Sequence, residues 1–171
     1  MSTSSNLGKD IIKDWFLKQT DIKSIVDVGA GKGTYRNLLG QGYYWIAIEV
    51  WRNNVDKYEL WKLYNKVYVD DIRSVNLPDA DCIILGDVIE HMEKESGLDV
   101  LKKCISEYNH VVLSIPTGEY PQGEIEGNPY EKHLSTWTFD EIEKIADWII
   151  KDKKIVNPLL PDVLQISIFI K

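Results

Sequence analysis

Three histidines stand in this 171-residue chain, and two of them keep company that could use them. His91 ends the phrase Asp87-Val88-Ile89-Glu90-His91, and His133 lies in a long polar stretch broken by Gly and Pro. A neutral imidazole can take a proton from a hydroxyl or ammonium nucleophile. Two imidazoles together with two carboxylates, Asp87 and Glu90, also form a donor set suited to Mg²⁺ or Mn²⁺. The same residues carry a plainer reading: Asp87 as a helix N-cap with Glu90 as its partner three positions on, a near-capping-box that needs no metal. His110 opens an apolar run and reads as structural.

A second group of polar residues follows strands. Ile25-Val26-Asp27-Val28 runs into Gly29-Ala30-Gly31-Lys32-Gly33-Thr34-Tyr35. That pattern is a buried strand, a tight glycine turn and a helix start. Glycines are needed where backbone must adopt positive φ or approach a ligand closely. The G-x-G-x-G spacing differs from the dinucleotide fingerprint, since Thr34 stands where the third glycine would be, and Lys32 is followed by Gly33, so there is no phosphate loop. Glu49 ends the next strand, roughly 20 residues past the first glycine, the spacing of a ribose-binding carboxylate. Asp70-Asp71-Ile72 and Gly86-Asp87 end two further strands.

The elements that must hold these residues alternate. The spacing predicts an amphipathic helix near 8–19 and strands at 25–28, 43–50, 66–69, 81–86 and 110–115. Helices are expected over 55–63, near 97–107 and over 138–150, the last opened by a Thr138-x-x-Glu141 capping box. The chain closes with two strands, 154–157 and 163–170, joined through Pro158-Leu-Leu-Pro161 as a hairpin. Alternation of this kind implies a doubly wound α/β fold with a mostly parallel sheet. The stretch 116–137 is the one long irregular segment, and segments of that length tend to be functional. It is the candidate substrate lid, with Tyr120, Tyr130 and Trp137 as apolar contacts.

Bulk properties narrow the classes. Hydrophobic content of 44% and charged content of 27% are ordinary for a globular protein, and the length suits one domain, 1–171. No apolar run approaches the roughly 20 residues of a membrane span, and residues 1–6 lack signal-peptide regions. Cys82 and Cys104 read as reduced core thiols, so a cytoplasmic protein is expected. A net charge of −7 disfavours nucleic acid as a partner, since its binding needs basic surface. Nothing in the residues sets an oligomeric state.

Taken in order, the phrase Asp27-x-Gly29-x-Gly31-x-Gly33 and the later strand-end residues resemble the class I S-adenosylmethionine-dependent methyltransferases over nearly the whole chain, 25–170. The resemblance implies a seven-stranded Rossmann-like sheet ending in an antiparallel hairpin, with S-adenosylmethionine as cofactor and S-adenosylhomocysteine as product. By the same resemblance, Asp27, Gly29, Gly31 and Gly33 would form the turn under the methionine part. Glu49 would hold the ribose, Asp71 the adenine amino group, and Ile72 would pack on the ring. Gly86 and Asp87 would border the sulfonium, and His91 and His133 are the candidate catalytic bases. Asp87, Glu90, His91 and His133 together also resemble the D/E-x-x-E-H plus downstream His pattern of metal-assisted methyltransferases, among them the small-RNA 3′-end enzymes, although those usually carry Glu where this chain has Asp87. Three functions follow: methyl transfer to O or N of a small molecule, which is favoured; transfer to RNA or protein; and a non-catalytic domain keeping the fold as a binding module.

Overall fold

The computed structural model describes residues 7–155 and 165–171. Helix α1 (Lys9–Phe16) leads into a seven-stranded sheet. The strands are β1 (Ser24–Val28), β2 (Tyr44–Ile48), β3 (Lys66–Tyr68), β4 (Cys82–Gly86), β5 (His110–Thr117), β6 (Ile150–Ile155) and β7 (Gln165–Ile170). Their order across the sheet is β3-β2-β1-β4-β5-β7-β6. The first five are parallel neighbours, and β7 lies antiparallel between β5 and β6. This is the doubly wound sheet with an antiparallel C-terminal pair that the residue pattern implies. The expected connection at 158–161 lies outside the described residues.

The interior strands are apolar on both sides because both sides are covered. Alternate residues of β1, β2, β4 and β5 feed two separate cores. Val26, Ile46, Ile83 and Leu113 pack with α5 (Lys94–Glu107), while Ile25, Trp45, Ile84 and Val112 pack with Ile12, Trp15 and Phe16 of α1. The period of two in strand side chains divides one apolar run between two layers.

Helix α2 (Thr34–Leu39) follows the glycine turn directly. The helix expected over 55–63 is instead two: α3 (Arg52–Lys57) and α4 (Leu60–Leu63), separated where Glu59 takes a left-handed φ of 50°. That kink returns Leu60 to the core and leaves Trp61 outside, 5.7 Å from the Arg52 guanidinium. The helix expected to run to 150 also stops early. α6 (Phe139–Glu143) opens with the capping box, in which the Thr138 hydroxyl accepts from Glu141 N–H and the Glu141 carboxylate accepts from Thr138 N–H. It ends because Trp148 turns into the core, donates its indole N–H to Ile142 C=O at 2.8 Å and packs on Phe169. Ile150 then begins β6, four residues ahead of the strand expected at 154. Both cysteines are free and buried. Among the described residues, no helix is long and apolar enough to cross a membrane.

Candidate functional site

The carboxyl ends of β1, β2, β4 and β5 open into one cavity of about 460 Å³, a size typical of small-molecule and cofactor sites. Of the residues expected there, Gly29, Gly31, Glu49, Asp71, Ile72, Gly86, Asp87, His91 and His133 line it. Asp27 and Gly33 do not: each sits behind the wall. Gly33 is the N-cap of α2 at φ 76°. Asp27 is 1% exposed and accepts the Tyr64 hydroxyl at 2.6 Å. Burial raises the Asp27 carboxyl to about 7, against the opposing pull of the Tyr64 hydrogen bond.

The turn from β1 to α2 is held open by glycine and closed by Glu49. Gly31 adopts φ 50°, where a side chain would be strained, and its N–H donates to the Glu49 carboxylate at 2.8 Å. The other Glu49 oxygen accepts from Trp51 N–H at 2.9 Å. Glu49 is 4% exposed, and burial raises its carboxyl above the usual range in spite of those hydrogen bonds. The Asn54 side chain hydrogen-bonds Glu49 as well, and since a carboxylate has about four lone-pair sites, acceptor capacity remains for a further donor. On the far side, Gly86 tolerates no side chain: an added Cβ would lie 2.1 Å from the Tyr35 ring. Asp71 is held by a bidentate ion pair with Arg73, which lowers its carboxyl and leaves it beside Ile72 at the cavity edge.

The phrase 87–91 does not form the helix start expected of it. Asp87 adopts φ 56°, a 3₁₀ turn spans Ile89–His91, and α5 begins only at Lys94. The N-cap reading of Asp87 and Glu90 is therefore overturned. The turn instead buries Glu90 to 2% exposure with neither carboxylate oxygen hydrogen-bonded. Burial, with Asp87 second, pushes its carboxyl well above the usual range. Unpaired buried charges are costly, so burial favours the neutral acid at this position.

The lid segment runs over this turn and brings His133 to it. Leu134 and Ser135 N–H both donate to Glu90 C=O, at 2.9 and 3.1 Å. The His91 and His133 rings meet edge to face with centroids 4.8 Å apart. His91 Nδ1 faces Lys132 C=O at 3.3 Å and His133 Nδ1 faces Tyr120 C=O at 2.6 Å. A carbonyl only accepts, so each neutral ring carries its proton on Nδ1 and keeps a lone pair on Nε2. Burial, then the neighbouring His133, lowers His91 to about 4. Donor atoms of Glu90, His91 and His133 all lie within 4.8 Å of one another; Asp87, the fourth residue of the expected set, is outside that group. Tyr120 and Tyr130 line the cavity as expected of lid contacts. Trp137 does not. It is 1% exposed, belongs to the core and is covered by Lys94. Glu131, Asn54 and Tyr35 also line the cavity, and sequence reasoning missed them. Glu131 stood within the lid segment, two residues before His133, and that position was the available signal. Tyr35 stood two residues past Gly33, at the end of the glycine-turn phrase, whereas Asn54 and the Tyr64 partner of Asp27 had no signal.

No protein-family model and no curated protein matches this sequence. Among solved structures, the chain is similar to a Leishmania major S-adenosylmethionine-dependent methyltransferase at 12% identity and a TM-score of 0.73, covering 95% of this chain and 71% of that one. It is likewise similar to magnesium protoporphyrin IX methyltransferase from Synechocystis PCC 6803 with bound S-adenosylmethionine, at 13% identity and a TM-score of 0.70, covering 95% and 76%. A third similarity is to the small RNA methyltransferase HEN1, at 18% identity and a TM-score of 0.66, covering 99% of this chain but 26% of that protein. At TM-scores of 0.66–0.73 over 95–99% of its length, the chain has the Rossmann-like fold of the class I S-adenosylmethionine-dependent methyltransferases.

Proposed function

We propose that the protein transfers a methyl group from S-adenosylmethionine to an oxygen or nitrogen of a small molecule. The observation that carries this reading is the pairing, in one cavity, of a buried carboxylate fastened to a glycine turn with two imidazoles whose Nδ1 atoms face backbone carbonyls. The first half fits the cofactor. Glu49 has lone pairs left for the ribose hydroxyls, Gly29 and Gly31 leave room for the methionine part, and Asp71 with Ile72 bounds the adenine end. Gly86 and Asp87 flank the place of the sulfonium, and Asp27 and Gly33 set the turn from behind.

When bound, the cofactor supplies an electrophilic methyl group for in-line displacement. The chain's residues align the acceptor and remove its proton. Positioning gives much of the acceleration, and a general base adds typically about 10²–10⁴-fold. His133, half-buried on the lid, and His91, held neutral by burial, are the bases. A 460 Å³ cavity roofed by a lid suits a small acceptor, and the net charge of −7 counts against nucleic acid. Two buried free thiols fit a reducing cytoplasmic setting. The test is a screen of small-molecule acceptor pools with methyl-labelled cofactor. Label transfer that fails in His91→Ala/His133→Ala supports the reading; label appearing only on added RNA or protein favours those acceptors, and cofactor binding without any transfer favours a binding module.

One observation favours a second, compatible element. The orphaned Glu90 carboxylate beside His91 and His133 fits a divalent cation. Mg²⁺ or Mn²⁺ held there by these three residues would make an acceptor hydroxyl more acidic and orient it. Titration with Mn²⁺ followed by electron paramagnetic resonance tests this: one site that disappears in Glu90→Gln supports it, and transfer that survives chelator overturns it.

A further inference from the structure

Glu131 reaches the cavity from the lid, and its surroundings are unlike those of a solvated loop carboxylate. It ends the 3₁₀ turn Pro129–Glu131, which Asn128 caps by accepting from Tyr130 N–H. Its own carbonyl accepts from Gln122 Nε2 at 2.7 Å, so the main chain there is fixed. The Asn128 amide approaches one carboxylate oxygen at 3.4 Å. The lid is clipped to α3 by an ion pair between Lys57 and Glu126 at 2.7 Å. Closed in this way, the lid sets Glu131 in the same cavity wall as Glu49 and Glu90. Asp70, Asp71 and Asp87 line the cavity too, whereas the lining cations are Lys32 and Arg73, the latter engaged by Asp71. Acidic groups outnumber basic ones, and five of the six acids belong to the protein body while Glu131 rides on the lid.

Such a wall distinguishes ligands by charge. S-adenosylmethionine carries one more positive charge than S-adenosylhomocysteine, because the acceptor's lone pair forms the new bond to the methyl group while the C–S bonding pair stays on sulfur, turning the sulfonium into a neutral thioether. We propose that Glu131 is a specificity-determining residue that favours the sulfonium cofactor over its thioether product. The cation offsets repulsion among the carboxylates and holds the lid down. Loss of the charge on methyl transfer returns that repulsion and releases the lid with the product. The inference rests on the cofactor reading above.

The experiment is calorimetric titration of the full chain with S-adenosylmethionine and with S-adenosylhomocysteine, in the presence of chelator, for the native protein, Glu131→Gln, Glu131→Asp and Glu126→Gln. The native protein should prefer the sulfonium form. Glu131→Gln should reduce that preference by about ten-fold, as expected for removing one charge at partly screened range, and Glu131→Asp should largely keep it. Glu126→Gln, which loosens the lid without changing the wall, should weaken both ligands equally. An unchanged preference in Glu131→Gln, or an equal weakening of both ligands there, overturns the proposal and leaves the cofactor reading standing. Failure of the native protein to bind either ligand overturns the cofactor reading itself.

Discussion

Replacing Asp27 with Asn should remove a pH dependence of stability that the buried pair with Tyr64 builds into the fold. Asp27 is 1% exposed and carries its carboxyl at about 7, against 3.8 for an unburied group. The folded-state value is raised, so the contribution is fully present below the unfolded value and is lost as pH rises through the folded one. In the window from about pH 5 to 8 the folded protein binds more protons at this site than the unfolded chain, and stability falls. Integrating the linkage relation over that window gives a loss of about 3 kcal/mol from this group. Glu49 and Glu90 are shifted in the same direction, so the native slope alone does not isolate Asp27; the difference between native and Asp27→Asn does. Urea unfolding at pH 5 and pH 8 measures it, since the midpoint shift at constant slope reports stability. A native-minus-variant difference that is flat over the window, or that grows in the native protein's favour toward pH 8, would refute the reasoning.

Two further outcomes follow from packing and from the Glu90 cluster. Gly86→Ala should cost about 1–3 kcal/mol, the usual range for overpacking, because the new Cβ meets the Tyr35 ring at 2.1 Å; in a Tyr35→Ala background the same change should cost little, and thermal melts of the double-mutant cycle check it. Glu90→Gln should abolish binding of a single Mn²⁺ while leaving S-adenosylmethionine affinity within about three-fold, and paired titrations of the two ligands decide whether the cation and cofactor subsites are separate.

The parts of the fold and site that were legible in the sequence are those set by local pattern. The run from Ile25 through Gly33 announced its strand, turn and helix because β-branched residues and glycines each restrict backbone choice. The capping box at Thr138 and Glu141 was equally local. What failed depended on distant partners. Nothing near residue 148 says that Trp148 will leave a helical pattern to reach Phe169, nor that Glu59 will break one helix into two to bury Leu60. Asp87 and Glu90 are the clearest case: their letters suit a helix start, yet the close pairing of Gly86 with Tyr35 and the lid's hydrogen bonds to Glu90 C=O hold a 3₁₀ turn instead. Trp137 read as a lid aromatic because its neighbours are polar, but its indole fills the core beneath the lid.

Glu49 tests the central claim most directly. Its carboxylate holds Gly31 and Trp51 N–H, so Glu49→Ala would disturb the turn itself, whereas Glu49→Gln keeps an acceptor and nearly the same shape. Calorimetric titration of S-adenosylmethionine into the native protein and into Glu49→Gln is the measurement. Hydrogen bonds to a charged acceptor contribute about 1.5–3 kcal/mol, which predicts stoichiometric binding to the native chain and a loss of roughly ten- to a hundred-fold in the variant. Absence of binding to the native protein, or equal affinity in the two, would contradict the account.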